Sequence, residues 1–553
     1  MPTLAARPTH ELRQAFANDG FDVILEVEHN GYRGLLAESR TAFNANTAQK
    51  KRAYYVEGDP FTLGWLMGRM AEQQVVIMTE RYLPNLVPAL IAKDHVPDAG
   101  RFQWLADLFV SLLKEFDDGA MKDYPPYLIQ ELRGLAAGCR ASNPDTPVDF
   151  DSLWTLNVGF DYLANIMWAP DHWLASLGVD RQELKSPIAC NAFSAWGNAT
   201  VDGVHLFGRD FMFPAANAFQ YAAALVVYNP TDTDEGPSRP FVSMTAPGVV
   251  GTIAALNDRK IVAGVHIALA ANGDPDRPGF NSLCLVRHAI QHATSAEQAV
   301  ERIIDAQRGT PWLYVVSDGT HNRSVTVEAG ARTAAFDPFA YPPKKLHKLL
   351  PSAAQLALDP VQVRFGAVAR WNDYQVPNFF MTFNPKLFAK EKLPWSVDIF
   401  DNYGTPGQNI DGPSVPQSFY FTPDLTPQPD LQVTCNSFIT PTMRLASMDP
   451  VTAWVVKTDW NALQWRYDAL CWLLNSAYGT LTRDSARSII DFLAPNGIYP
   501  QFYWWNGVKP ADWRKQRIDG SVTLFDCTNL WLTCHWGNYG DEWVELHLAA
   551  YLP

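Results

Sequence analysis

The spacing of apolar residues changes near residue 190, and the change divides the chain into two regions. Upstream, apolar residues recur at helical spacing, most clearly at Phe102, Leu105, Phe109, Leu112, Leu113 and Phe116. Downstream, they form short runs separated by turn signals, which is typical of strands. We therefore predict a largely helical segment over 1–189 and a β-rich region over 190–553.

The β-rich region reads as a succession of strands, hairpins and helices. We predict a buried strand at 222–228, a strand–turn–strand unit over 245–266, a helix at 295–304 and a hairpin over 312–328. Ser295 is the expected N-cap of that helix, with Gln298 at the capping-box position. Two packed sheets with helices on both outer faces would satisfy this order, which makes the fold class α+β.

The last third of the chain contains an irregular stretch. Seven prolines lie between Pro394 and Pro429, and so long an interruption is usually a binding loop or an excursion over the surface. Near an active site, 394–429 would line the substrate pocket. A helical region is expected over about 459–493, and closing strands over 522–550.

Composition narrows the classes of function. The chain has 553 residues, 47% of them hydrophobic, and a formal net charge of −14, which argues against nucleic acid or an anionic membrane surface as the main partner. It contains no apolar run of about 18 residues, so we expect no membrane span. Its first residues show no secretory signal, so we expect a cytoplasmic protein.

The cysteines do not predict a disulfide framework. Seven are scattered over a long chain, and most are expected to be buried small hydrophobes. Cys527 with Cys534 and His535 gives only a weak hint of a metal corner, because the spacing is wrong and a partner pair is missing. We expect no cofactor and no bound metal.

One predicted hairpin places a thiol beside a charged pair. An apolar-alternating strand begins at Cys190, Asp202-Gly203 supplies the turn, and the return strand 204–207 leads to Arg209 and Asp210. This layout puts the three side chains on adjacent strand ends, close enough to interact. The plain alternative is that Cys190 is an inert core thiol and that Arg209 and Asp210 form an ordinary ion pair.

This segment, Cys190-Asn191-Ala192-Phe193-Ser194-Ala195-Trp196-Gly197 with Gly208-Arg209-Asp210, resembles the first hairpin of the N-terminal-nucleophile (Ntn) amide hydrolases. It is most similar to the acyl-coenzyme A:6-aminopenicillin acyltransferase family and more distantly to choloylglycine hydrolases. The resemblance implies a four-layer αββα sandwich with a helical propeptide. It also implies self-cleavage between Ala189 and Cys190, after which fragments 1–189 and 190–553 stay associated.

The chemistry of an N-terminal cysteine explains why cleavage is needed. A thiol with an ordinary pKa of about 8.5 is a weak nucleophile until it is ionised. A free α-amine has a pKa of about 7.7–8.0, so it can accept the thiol proton at neutral pH and later deliver it to the leaving amine. Cys190 acquires that amine only if the chain is cut directly before it.

The resemblance also assigns roles to other positions. It implies that Arg209 supports the nucleophile and that the Asn436 amide, in Val433-Thr434-Cys435-Asn436-Ser437-Phe438, donates to the oxyanion. Met212 occupies the position of the aspartate that binds the amine in the relatives. Asp210 could substitute, although adjacent strand residues face opposite ways.

Four further positions match the family less specifically. His266 aligns with a pocket asparagine, and Arg466 with a helix-borne arginine that orients the site. A buried structural histidine and a solvent-exposed ion pair are the plain alternatives for these two residues. Asp318 and Glu328 also match family positions, and we interpret both as structural.

The favoured function is a self-processing cysteine hydrolase or acyltransferase that acts on a non-peptide C–N amide bond of a small molecule. Two other classes stay open. A carbohydrate enzyme or binding module would suit the nineteen tryptophans and the acidic balance. A relative that never cleaves and only binds a ligand would suit the departures at Met212 and at Ala189, where the relatives often have glycine.

Overall fold

The structure is a computed structural model. It describes residues 7–41, 50–86, 121–168, 189–268, 270–274, 276–277, 279–341, 344, 347, 351–375, 428–446, 467, 470–471, 473–496, 520–537 and 542–552. The helix expected at 102–116, Arg466 and nearly all of 394–429 lie outside these residues. Among the described helices, none is both long and apolar enough to cross a membrane.

The strands of the described residues form two sheets. In chain order they are β1 (Phe21–His29), β2 (Tyr32–Ser39), β3 (Arg52–Gly58), β4 (Ala189–Ala195), β5 (Leu206–Met212), β6 (Ala224–Pro230), β7 (Phe241–Thr245), β8 (Ala254–Asn257), β9 (Ile261–Ile267), β10 (Trp312–Asp318), β11 (Arg323–Ala329), β12 (Ala367–Trp371), β13 (Leu431–Thr434), β14 (Gly520–Asp526), β15 (Trp531–His535) and β16 (Val544–His547). The first sheet has ten strands in the order β1-β2-β3-β6-β7-β8-β9-β10-β11-β12. The second has six, in the order β13-β4-β5-β14-β15-β16.

The helices are α1 (Thr9–Asn18), α2 (Pro60–Ile77), α3 (Pro126–Ser142), α4 (Phe150–Trp168), α5 (Phe219–Ala222), α6 (Ser282–His292), α7 (Ala296–Asp305), α8 (Ala353–Leu356), α9 (Pro441–Arg444), α10 (Arg483–Asn496) and α11 (Leu548–Tyr551). A π-helical turn at Met78–Tyr82 extends α2. Helices α6 and α7 pack against β8–β11 of the larger sheet, and α10 packs against β4, β5 and β14 of the smaller one. Ser295 caps α7 by accepting a bond from the Gln298 backbone N–H, which confirms the expected N-cap.

The prediction of a largely helical segment before residue 190 is wrong for 21–39 and 52–58. Strands β1, β2 and β3 occupy these stretches, and β3 pairs in parallel with β6, whose sequence lies far downstream. A local signal was available, because Asn30-Gly31 between two alternating runs is a hairpin turn. Both residues adopt positive φ, 52° and 79°. The helical expectation holds for α2, α3 and α4.

The hairpin at Cys190 is longer than its sequence suggested. Strand β5 continues to Met212, so Arg209 and Asp210 lie within the strand and not at its end. The connection spans 196–205 and includes a 3-10 turn at Gly197–Ala199, so the Asp202-Gly203 pair is only part of it. In the resulting register Cys190 lies opposite Phe211, and Ala192 opposite Arg209.

The two sheets face each other through polar contacts. The Ser194 hydroxyl of β4 lies 3.0 Å from the Ser324 hydroxyl of β11. The Arg370 guanidinium of β12 donates to the carbonyl oxygen of Val433 in β13, at 3.0 Å. Because strand side chains alternate, the face of β4 that carries Ser194 also carries Cys190. The cysteine side chain therefore points toward the larger sheet.

Candidate active site

Cys190 is fully buried at the start of β4, and its backbone binds a distant side chain. The Cys190 N–H donates to the Asn436 side-chain oxygen at 2.6 Å. The nitrogen of the same carboxamide donates to the carbonyl oxygen of Ile267, at the end of β9, at 2.7 Å. Asn436 follows β13 and thus ties the backbone before the thiol to the opposite sheet.

Arg209 lies on the same face as Cys190, since it is paired with Ala192. The guanidinium is buried, and its Nη1 donates to the carbonyl oxygen of Ile253 at 2.7 Å. Its stem packs on Gly264 of β9, where an added Cβ would lie 2.7 Å from the Arg209 Cδ. Within the part of the chain that the structure describes, Nε and Nη2 of Arg209 have no hydrogen-bond partner.

The electrostatics of Arg209 involve the cysteine directly. Burial lowers the pKa of the Arg209 guanidinium to about 10, against the opposing, pKa-raising influence of Cys190 and Asp210. The guanidinium carbon also lies 4.9 Å from the centre of the Phe211 ring, so the aromatic face partly replaces water around the cation. The thiol and this arginine are therefore electrostatic neighbours in a dry environment.

Asp210 lies on the other face of the smaller sheet and binds Asn191. Its carboxylate accepts from the Asn191 backbone N–H at 2.9 Å and from the Asn191 side-chain nitrogen at 2.6 Å. The Cys435 thiol reaches the Asn191 side-chain oxygen at 3.1 Å. The expectation that Asp210 could hold the amine stays a prediction, whereas the structure places the Asn436 oxygen at the Cys190 nitrogen.

The remaining matched positions divide into two groups. His266 is buried on β9, two positions after Gly264. Side chains two positions apart on a strand lie on the same face, so His266 shares the face that meets Arg209. Glu328 accepts bonds from Ile439 N–H and Thr440 N–H, and Asp318 accepts bonds from the turn that follows β10, as expected for structural residues. The structure does not describe Arg466.

An aromatic pocket adjoins the site, and the sequence analysis did not find it. It is lined by Met78, Tyr82, Leu156, Asn157, Phe160, Phe211, Phe213, Phe219, Thr245, Ala246, Val249, Ile253, Asn281, Leu283 and Gly520. Phe211 is the cross-strand partner of Cys190, and Ile253 is the acceptor of Arg209. Five lining residues come from 78–160, and no local pattern indicates that they meet β5.

The geometry does not support a metal site at Cys527, Cys534 and His535. Among the described residues, no three His, Cys, Asp or Glu side chains are grouped so as to hold a metal ion. Cys534 and His535 lie in β15, and both are buried. Burial raises the pKa of the Cys534 thiol to about 12, which opposes the thiolate that a metal ligand needs.

Comparisons with known proteins identify one extended relative. No protein-family model matches the chain. An uncharacterized protein of Archaeoglobus fulgidus is 27% identical over 507 residues, which cover 92% of this chain and 67% of that protein.

Solved structures resemble the chain only weakly. A mutant conjugated bile acid hydrolase from Clostridium perfringens gives a TM-score of 0.32 at 11% identity, covering 65% of this chain and 92% of its own. An N-acylethanolamine-hydrolyzing acid amidase orthologue from Caenorhabditis elegans gives 0.30 at 9% identity, covering 61% and 93%. Scores this low do not assign a fold or an activity, so the function must be argued from the site.

Proposed function

We propose that this protein is a self-processing cysteine amidase. It cleaves a non-peptide C–N amide bond through a thioester on Cys190, after scission between Ala189 and Cys190 has freed the cysteine amine. We further propose that its two sheets and their helices form a four-layer αββα sandwich of the Ntn-hydrolase type. In this scheme 1–189 is the retained propeptide, and 190–553 carries the catalytic residues.

The observation that carries the proposal is the bond between the Cys190 backbone nitrogen and the Asn436 side-chain oxygen, 2.6 Å long. Strand β13 pairs with β4 only from Ala192 to Ala195, so Asn436 supplies an acceptor just beyond the end of that ladder. If that nitrogen becomes a free amine, the same oxygen accepts one of its hydrogens and fixes its orientation. The amine is then held beside the thiol that it must deprotonate.

The proposed self-cleavage uses the same cysteine. The Cys190 sulphur attacks the carbonyl carbon of Ala189, and the C–N bond to the Cys190 nitrogen breaks as that nitrogen takes up a proton. The chain is then joined through a thioester to the cysteine sulphur. Water adds to the thioester carbonyl, which releases the Ala189 carboxylate and restores the thiol.

Turnover repeats this sequence on a substrate amide. The Cys190 amine accepts the thiol proton, the sulphur bonds to the substrate carbonyl carbon, and the proton passes to the leaving amine. Water then hydrolyses the thioester to a carboxylic acid. An amine that replaces water at this step gives acyl transfer through the same intermediate.

Arg209 and Asn436 are the two groups that we propose assist catalysis by Cys190. Among the described residues, the Nε and Nη2 atoms of Arg209 have no hydrogen-bond partner, and Arg209 shares the face of the thiol, so it can stabilise the thiolate that precedes attack. The Asn436 carboxamide lies at the Cys190 nitrogen, and its own nitrogen donates to the Ile267 carbonyl oxygen. We assign this carboxamide the role of oxyanion donor that the family resemblance implies, and one such donor contributes about 3 kcal/mol to transition-state stabilisation.

The first prediction concerns turnover. With p-nitroanilides of simple carboxylic acids as substrates, we expect Cys190→Ala to abolish release of p-nitroaniline. Cys534→Ala, an equally buried cysteine in β15, is the matched control and should keep near-normal kcat/KM. Intact mass of the wild type during turnover should show the acyl group on the fragment that begins at Cys190.

Different results would contradict different parts of the proposed function. Turnover that survives Cys190→Ala would mean that another group is the nucleophile. A wild type that is uncut and inactive toward every amide tested would favour a relative that only binds a ligand. Hydroxylamine added during turnover should yield a hydroxamate if the intermediate is a thioester, and its absence would contradict covalent catalysis.

A further inference from the structure

The aromatic pocket is lined by neighbours of Cys190 and Arg209. Phe211 lines it and lies opposite Cys190 in the β4–β5 register. Gly520, another lining residue, is paired with Met212, which in turn lies opposite Ala189. The pocket is therefore at the end of the site where the carbonyl attacked by the sulphur must lie, on the acyl side of the scissile bond.

The described lining residues offer no charge and few usable hydrogen bonds. None of them is ionisable near neutral pH. The Asn157 side chain bonds to Gly248 O and Val250 N–H, and the Thr245 hydroxyl donates to Gly251 O. The Asn281 side chain caps α6 and donates to Asp161. Since these polar groups already have structural partners, an occupant gains mainly apolar contact.

The pocket is narrow because aromatic rings crowd it. The Phe160 ring centre lies 4.5 Å from that of Phe213, and Tyr82 lies 6.1 Å from Phe219. The cavity volume is small, about 30 Å³. Phe160 belongs to α4, and its ring also lies 6.5 Å from that of Phe211 in β5.

We propose that this pocket receives the acyl group of the substrate and restricts it to short, uncharged, apolar chains, with Phe160 as the residue that limits length. This inference rests on the proposed amidase function and adds the substrate class. It also gives the segment before residue 190 a role in selectivity, since Met78, Tyr82, Leu156 and Phe160 belong to it.

The test compares two leucine variants on a graded set of substrates. We would measure kcat/KM for acetyl, butyryl, pentanoyl, octanoyl and succinyl p-nitroanilides with the wild type, Phe160→Leu and Phe16→Leu. Phe16 is also buried but packs between Phe21 and Tyr551, in another part of the core. It therefore controls for a general loss of packing.

We expect the wild type to favour the acetyl to pentanoyl substrates and to discriminate against succinyl by about 100-fold relative to pentanoyl, because the carboxylate would be desolvated without a partner. Phe160→Leu should raise the octanoyl-to-acetyl ratio of kcat/KM by about tenfold. Phe16→Leu should leave that ratio unchanged.

Two results would overturn the inference while leaving the amidase function standing: turnover that accepts succinyl as well as pentanoyl, or an octanoyl-to-acetyl ratio that Phe160→Leu and Phe16→Leu alter equally. A different result, in which no substrate is turned over and no acyl group is found on Cys190, would overturn the proposed function and the acyl pocket with it.

Discussion

The buried guanidinium of Arg209 is the least expected feature at the scale of single residues. A buried cation is costly unless it is paired, and one backbone acceptor is a poor substitute for a carboxylate. The neighbouring Asp210 points to the other face of the sheet and binds Asn191. A thiolate at Cys190 would supply the missing negative charge on the correct face, which is why we connect the cation with nucleophile activation.

Replacing Arg209 should therefore change the reactivity of the cysteine. In Arg209→Met, we expect the midpoint of the pH profile for iodoacetamide alkylation of Cys190 to move upward by about one unit or more, because the thiolate loses its favourable field. Peptide mapping by mass spectrometry would follow the modification at this cysteine alone.

The control for that experiment is another buried arginine. Arg308 donates to the backbone carbonyls of Ile303 and Ile304 at the end of α7 and to that of Phe365, and these acceptors do not belong to the site, so Arg308→Met should lower stability without moving the midpoint. A midpoint that is the same in Arg209→Met and the wild type would show that this cation does not act on the thiol.

Sequence reasoning reached part of this site. The spacing of the hairpin residues brought Cys190 and Arg209 together, because cross-strand neighbours follow from strand pairing. The bond between Cys190 and Asn436 joins residues 246 positions apart, and only a family resemblance indicated that Asn436 belongs to the site. The carbonyl of Ile253 carries no side-chain signal at all, so no reading of residue types could have found it.

At the scale of elements, the pair α2 and α3 is held by backbone contact. An added Cβ at Gly64 would lie 1.9 Å from the carbonyl oxygen of Glu131, and one at Gly138 would lie 2.1 Å from that of Trp65. Neither neighbour is a flexible side-chain tip, so the helices must separate to admit a methyl group. Glycine at these two positions therefore allows the close approach of α2 and α3.

We accordingly expect Gly138→Ala to lower the free energy of unfolding by about 3 kcal/mol, since the added methyl group can be accommodated only if the helix backbones move apart. Urea titration followed by fluorescence would measure it. Arg140→Ala, an exposed position on the same helix, should change the unfolding free energy by less than about 0.5 kcal/mol. Equal effects of the two substitutions would contradict the close-packing account.

The strands before residue 60 show which strand pairings a local sequence pattern can predict and which it cannot. Alternation and the Asn30-Gly31 turn are sufficient to predict β1 and β2 as a hairpin. The parallel pairing of β3 with β6 could not be predicted in this way. It depends on which strand, far away in the sequence, has an unpaired edge when the sheet assembles. Sequence separation hides such a contact from any local pattern.

At the scale of the whole molecule, the region before Cys190 is part of the fold and not a detachable cap. Three of its strands belong to the ten-stranded sheet. Its Glu131 forms a buried ion pair with Arg287 of α6, at 2.9 Å, and Arg287 also stacks on Tyr228. Breaking one half of such a pair leaves an uncompensated buried charge, so a cut before Cys190 should leave the two fragments bound to each other.

The central claim is that Cys190 becomes a chain terminus, and intact mass spectrometry of the purified, active protein tests it most directly. Under denaturing conditions we predict two species that correspond to 1–189 and 190–553, the second beginning Cys-Asn-Ala-Phe, whereas native conditions should show one complex containing both. Cys190→Ala should remain a single chain. An active wild-type enzyme found only as the uncut chain of 553 residues would contradict the account.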